Sequence, residues 1–356
     1  MQKNINNLFL YQPLVGEKIG LPCLSTDEKT VLLKTGQNFL LTGFINEYLD
    51  LSENYKFKQD VERISKIYQL RNLTMRSDLK KICSAFKKKG ISYVLLKGMA
   101  IDVLKLYPEG VRQCRDIDIL VEKEQVHKAF NCLKKLGYSY TNRFASNEFK
   151  FFGDSHQLPP LINKNSTIIE LHHRVTDKEI FEECFLTEYL FDYSENISGL
   201  HIPNHSGLIA HALYHGLLHH NLTQGPIFIF DIFILYKSLN MKWPDLEPLL
   251  IRMDLSTKFK EIDQLFKLVM KNKQINEEVL DKISNITESF NWEAPKKEKL
   301  YLPLNKRKTS KRYLSKNLIA NKLNNIRYQY QTDYFSLRYL LGLVIEFIKN
   351  LKRFGI

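Results

Sequence analysis

Residues 115–122 read RDIDILVE. Ile, Leu and Val in a short run suit a half-buried strand, and Asp is among the residues strands avoid. Side chains two apart share a strand face, so Asp116 and Asp118 project together while Ile117, Ile119 and Val121 pack on the other side. The strand rise sets their stems about 6.5 to 7 Å apart. Carboxylates at that spacing chelate hard cations, and two ions about 3.5 to 4 Å apart grip a transferring phosphoryl group from both ends. The apolar half of the strand makes these groups rigid. The bland alternative is a solvated sheet face, and the surrounding segments weigh against it.

Upstream, ISYVLLKG (91–98) is an apolar strand closed by Gly98, and MAIDVLKLY (99–107) returns to helical spacing before PEG (108–110) breaks it. Backbone N–H groups at such a strand-to-helix turn form a phosphate site, which Lys97 strengthens. Downstream, KEQVHKAFNCLKKLGY (123–138) is an amphipathic helix stopped by Gly137, and STIIELHHRV (166–175) is another strand. There Glu170 sits between Ile169 and Leu171. If its strand neighbours RDIDILV, Glu170 completes an acidic triad, with His172 on the same face as a second partner or substrate contact.

The rest of the chain is helical in pattern. Phe39 to Leu51, Val61 to Leu70 and SDLKKICSAFKKKG (77–90) carry apolar residues at three- and four-residue spacing, as do SGLIAHALYHGLLHH (206–220) and the segment from Ile227 to Leu239. His211, His215 and His219 recur every four residues. As zinc ligands they make a poor tetrahedron, because the ends of such a run lie about 12 Å apart by the helix rise. His215 and His219 are expected to wall a site or pair with Asp231; the bland reading is hydrogen bonding inside a helical core. Arg112 is expected either to grip a triphosphate through its planar fork or to pair with a nearby acid.

The residues in this order resemble the nucleotidyltransferase superfamily, the polymerase β-like fold. The resemblance is to its uncharacterised bacterial nucleotidyltransferase family: LLKG (95–98), Arg112 before DIDILV (116–121), ELHHRV (170–175), and HGLLH (215–219) with Asp231 beyond. It spans roughly residues 60 to 240. It implies an α+β fold, a small mixed-sheet core flanked by a helical N-terminal region and a helical C-terminal half, with boundaries expected at 1–75, 76–200, 201–295 and 296–356. It implies catalytic and metal-binding roles for Asp116, Asp118 and Glu170 around two Mg²⁺ ions. Lys97, Gly98, Arg112, His172, His215 and Asp231 would line the NTP and acceptor side, with ATP the favoured nucleotide. The chain departs from the superfamily at the turn, where Met99 stands in place of a hydroxyl residue, and in Glu170 and His173, which replace the more usual Asp and Trp.

Composition narrows the setting. A chain of 356 residues with 44% hydrophobic and 26% charged residues is a folded globular protein with room for two ordinary domains. Five scattered cysteines, never paired as CxxC, fit reduced thiols in a cytoplasm better than a disulfide frame. The start of the chain lacks a secretory pattern, and no run of about 18 apolar residues suggests a spanning helix. The formal charge is +13, and from Lys296 onward 15 Lys and Arg face 3 acidic residues. Such a tail attracts phosphate on nucleic acid or on an anionic membrane, or simply forms a solvated helix face. The expected activity is transfer of a nucleotidyl group, AMP before others, to a hydroxyl on a small molecule or peptide. Alternatives are a non-catalytic nucleotide-binding or partner-binding module on a decayed nucleotidyltransferase fold and an RNA-end modifying enzyme.

Overall fold

A computed structural model describes residues 18–20, 23–140, 156–176, 185–219, 226–238 and 243–271. The basic tail from residue 296 onward lies outside them, as do residues 21–22, 141–155, 177–184, 220–225, 239–242 and 272–295. Among the described residues, ten α-helices accompany a mixed five-stranded sheet, a separate hairpin and a short parallel strand pair. The described residues fall within a single compact unit, Met1–Pro303.

The N-terminal third is helical: α1 (Thr26–Asn38), α2 (Thr42–Tyr48) and the long α3 (Tyr55–Lys88). Ser25 caps α1 in a full capping box with Glu28, which satisfies two otherwise orphaned N–H groups. A helix was expected over Phe39–Leu51. Instead Leu40 takes φ +59, ending one helix before the next begins, and Leu49–Asp50 turns extended to pair with Ile19–Gly20. The long α3 buries Val61, Met75, Leu79, Ile82 and Phe86 on one stripe, the 3.6-residue periodicity that seats a helix on a core.

The sheet strands are β1 (Tyr93–Leu96), β2 (Ile117–Val121), β3 (Ser139–Tyr140), β4 (Leu161–Ile162) and β5 (Ile168–His172). Their spatial order is β1-β2-β5-β4-β3. Only the β2–β5 pair is parallel; the others are antiparallel. Both faces of β2 are buried, which explains its near-continuous apolar sequence. α4 (Lys97–Val103) leaves β1 directly, and α5 (Val126–Lys135) follows β2. Gly137 then turns the chain with φ +87.

Beyond the sheet come α6 (Phe185–Asp192) and the hairpin β6 (Ser194–Ile197) and β7 (Leu200–Pro203). The hairpin packs near β1, where the Tyr93 hydroxyl donates to the Gly199 carbonyl at 3.3 Å. α7 (His205–Leu213) runs into a π-helical turn, Tyr214–His219, and then α8 (Ile227–Ser238), α9 (Trp243–Arg252) and α10 (Ser256–Lys271) complete the helical part. Apolar residues of the sheet, of α3 and of these helices form one continuous core. Among the described residues no helix is long and apolar enough to cross a membrane.

Candidate active site

The turn after β1 carries an unusual backbone. Lys97 takes φ +51, the left-handed region that side chains other than glycine rarely occupy. The adjacent Gly98 does not use it. Its requirement is space: a Cβ there would lie 3.1 Å from Cys114 Sγ and 3.2 and 3.3 Å from the two terminal nitrogens of Arg112. The turn therefore rests directly on a buried guanidinium.

Register brings the carboxylates together. Asp118 on β2 is paired with Leu96 of β1 on one side and with Glu170 of β5 on the other. Paired residues in adjacent strands share a face, so Glu170 stands beside Asp118, with His172 two residues on. Lys97 Nζ lies 2.7 Å from Asp118 Oδ1 and 3.7 Å from Glu170 Oε2. His172 Nε2 lies 2.9 Å from the same Asp118 oxygen and 3.7 Å from Glu170 Oε2. Asp118 is buried, whereas the Glu170 side chain keeps 21% exposure and is the carboxylate a ligand can reach.

Electrostatics fix the charge states. Burial pushes the Asp118 carboxyl up, but Lys97 and His172 outweigh it and hold the group well below the usual carboxylate range. Burial likewise disfavours a charged Lys97, yet Asp118, Glu170 and Asp116 keep its ammonium above its ordinary value. Asp116 immediately precedes β2 and is partly exposed. It contributes to the field at Lys97 but stands outside the tight group of Asp118, Glu170 and His172, whose ligand atoms all lie within 4.8 Å of one another.

That group fits a divalent cation, and the two carboxylates are its natural ligands. His172 Nδ1 is buried without a hydrogen-bond partner. If Nε2 bound a metal, the ring proton would sit on Nδ1 with no acceptor, whereas ligating histidines usually donate that proton to one. The tautomer that satisfies the geometry carries its proton on Nε2 and donates it to Asp118. His172 thus orients the carboxylate, and a metal held here would take carboxylate oxygens as its donors, the chemistry hard ions prefer.

Arg112 is buried. Its Nε donates to Asp231 Oδ1 and Oδ2 at 2.8 and 3.1 Å, Nη2 to Oδ2 at 2.8 Å, and Nη1 to the Gln113 carbonyl at 2.6 Å. Both side chains are buried. Of the two roles expected for Arg112, the structure displays pairing with an acid, and Asp231 is the partner. Burial raises the Asp231 carboxyl, and Arg112 counters part of that rise. The pair joins α8 to the underside of the Lys97–Gly98 turn.

The segment leading into β2 is held by α3. Asn72 Nδ2 donates to the Arg112 carbonyl at 2.7 Å and its oxygen accepts from Cys114 N at 3.2 Å. Arg71 donates to the Arg115 carbonyl, and Arg76 clasps Asp102 of α4 at 2.6 and 2.9 Å. Gly43 of α2 lets this segment come close, since a Cβ there would meet the Gly110 and Val111 carbonyls at 2.4 and 2.5 Å. None of these clamps was anticipated from sequence.

Histidines extend from the carboxylates. His172 stacks on His156 (centroids 5.7 Å), His156 meets His219 (5.3 Å), His219 stacks on His215 (5.5 Å), and His215 meets His211 (6.1 Å). His215 and His219, four residues apart, both lie in the π-helical turn. Burial, then the nearby Lys97 and His172, lower the buried His211 to about 3. His156 was missed: it lies in an irregular segment and is placed by its carbonyl, which accepts from His173 N and Arg174 N at 3.1 and 3.3 Å.

A small mixed sheet that seats facing carboxylates beside a lysine-bearing strand-to-helix turn defines a nucleotidyltransferase core. Residues 46–270, well over half of the chain, match the family described as "Uncharacterised nucleotidyltransferase", and the chain belongs to that family. The chain is accordingly a nucleotidyltransferase. Among solved structures it is similar to an antigenic nucleotidyltransferase-like protein from Paracoccidioides brasiliensis. The match has 15% identity and a TM-score of 0.30 and covers 52% of this chain and 92% of that one. No curated protein matches the chain.

Proposed function

We propose that the enzyme moves a nucleoside monophosphate, AMP in the favoured case, from an NTP to a hydroxyl on a small molecule or peptide, releasing pyrophosphate. The observation that carries this reading is the registered pair Asp118–Glu170 with Lys97 beside both. Asp116, Asp118 and Glu170 would hold divalent ions, Mg²⁺ by the hardness of the donors, which would supply Lewis acidity and neutralise phosphate charge. Lys97 supports the triphosphate from the turn, and Gly98 lets that turn lie flat on Arg112. Glu170, more exposed than Asp118, accepts the proton of the acceptor hydroxyl. The acceptor oxygen bonds to the α-phosphorus, the bond from that phosphorus to the bridging oxygen breaks, and pyrophosphate departs. In this reading residues 76–200 hold the nucleotide, and residues 201–295 supply the acceptor side through His215 and its neighbours. The cysteine pattern favours a cytoplasmic setting.

A second reading has a specific observation in its favour. Met99 is fully buried, so the turn offers no side-chain hydroxyl to a phosphate, as expected of a nucleotide-binding module that has lost turnover. The experiment that separates the two follows α- and γ-labelled ATP, GTP, CTP and UTP with the purified protein and fractionated small-molecule and peptide acceptors. Transfer of the α label with release of pyrophosphate supports the first reading. Nucleotide binding without any α transfer supports the second. The RNA-end alternative depends on residues 296–356 and predicts label on RNA that declines steeply with salt.

A further inference from the structure

We propose that Lys97 is the resident counter-cation of the Asp118–Glu170 pair, so that a divalent ion enters this site only together with the triphosphate. The inference rests on the nucleotidyl-transfer site proposed above and adds the order in which that site is filled.

Asp118 Oδ1 already has two donors, Lys97 Nζ at 2.7 Å and His172 Nε2 at 2.9 Å. The ammonium also reaches Glu170 Oε2 at 3.7 Å. An ion that takes Asp118 Oδ1 and Glu170 Oε2 competes with an ammonium seated at the same two oxygens, and two cations brought that close repel one another. Lys97 is not a loose surface lysine that can simply swing into water. Its side chain keeps only 22% exposure, and its backbone is held at φ +51 by a turn packed on Arg112.

A largely buried charge that loses its partner is costly, so Lys97 leaves the carboxylates readily only when another anion meets it. The triphosphate of an NTP is that anion. Its oxygens receive the ammonium while the ion takes the vacated carboxylates, and each ligand makes room for the other. Such coupling is reciprocal: the factor by which nucleotide tightens the ion equals the factor by which the ion tightens nucleotide. Without nucleotide, the protein keeps its own cation in place and takes up free metal poorly.

The test measures Mn²⁺ binding to the full chain by loss of the free-ion paramagnetic resonance signal, without nucleotide and with α,β-methylene-ATP. The proteins are wild type, Lys97→Met, Lys97→Gln and Lys97→Met/Asp118→Asn. Both Lys97 substitutions keep an unbranched stem and remove the charge; circular dichroism reports folding, and the Gln variant decides if the Met variant does not fold. Nucleotide-free Mn²⁺ affinity is expected to rise at least about tenfold in the Lys97 variants, the scale on which partners of metal ligands act. The gain should vanish when Asp118→Asn is added. Equal nucleotide-free affinity in wild type and the Lys97 variants overturns the inference and leaves the site reading standing. Absence of Mn²⁺ binding by every protein, with or without the analogue, overturns both.

Discussion

Replacing Asp231 by leucine strips a buried guanidinium of its only carboxylate among the described contacts. Three hydrogen bonds at 2.8, 3.1 and 2.8 Å disappear, and the Gln113 carbonyl alone remains on Arg112. With both side chains under a tenth exposed, water cannot replace the lost partner without opening the base of the turn. Breaking a buried pair from one side costs about 3–5 kcal/mol, a large share of the roughly 5–15 kcal/mol that holds a typical protein folded. The partner variant Arg112→Met should also destabilise, because it leaves Asp231 buried and ionisable. The double variant should regain much of the loss, since an apolar pair of similar volume removes both uncompensated charges. Urea unfolding followed by circular dichroism at constant m-value reads all three. The reasoning is refuted if Asp231→Leu costs less than about 1 kcal/mol, the value of an exposed pair, or if the two single effects simply add in the double variant.

Other perturbations give separate outcomes. Asp118→Asn should abolish nucleotidyl transfer while leaving the circular dichroism spectrum unchanged; turnover above a tenth of wild type would contradict its role. Gly98→Ala places a methyl 3.1–3.3 Å from Cys114 and Arg112, so it should cost about 1–3 kcal/mol by overpacking and raise KM for NTP, checked by urea unfolding and steady-state kinetics. Gly216→Ala drives a Cβ to 2.6 Å from the Phe228 ring and should disturb the His215–His219 stack with a similar loss of stability, checked in the same unfolding assay. His211 is lowered from 6.5 to about 3, so the unfolded chain binds a proton that the folded one refuses. Its contribution is complete above 6.5 and falls away as the pH drops toward 3. At about 1.4 kcal/mol per unit, acidification from pH 6.5 to 5 should cost roughly 2 kcal/mol, and His211→Gln should flatten that limb of the stability profile.

Much of the core was legible because its signals are local. The alternation in DIDILV marks β2, Glu170 between Ile169 and Leu171 marks β5, and the Gly137 stop ends α5, each within one short window. Whether Asp118 meets Glu170 depended on β2 and β5 being neighbours, a matter of topology across about fifty residues; the structure makes them parallel partners in direct register. Arg112 and Asp231 are separated by 119 residues, and nothing in either neighbourhood announces the other. The left-handed backbone at Lys97 was hidden because lysine seldom takes that conformation and nothing in the local sequence calls for it. His156 carries no periodic signal, and nothing in the sequence distinguishes the π-helical turn at Tyr214–His219 from the α-helix before it. The break at Leu40 was missed for a related reason: apolar periodicity runs straight across it, while the backbone takes φ +59 there and ends the helix.

The central claim is that Asp116, Asp118 and Glu170, with Lys97, form a metal-dependent nucleotide site. It is tested most directly by thermal stabilisation of the full chain with ATP, GTP, CTP or UTP, with Mg²⁺ and with EDTA, in wild type and in an Asp116→Asn/Asp118→Asn double variant. The account predicts a rise in Tm with at least one nucleotide, present with Mg²⁺, lost with EDTA and absent from the double variant. A nucleotide-induced rise that survives both EDTA and the double substitution would place nucleotide binding elsewhere and contradict the account.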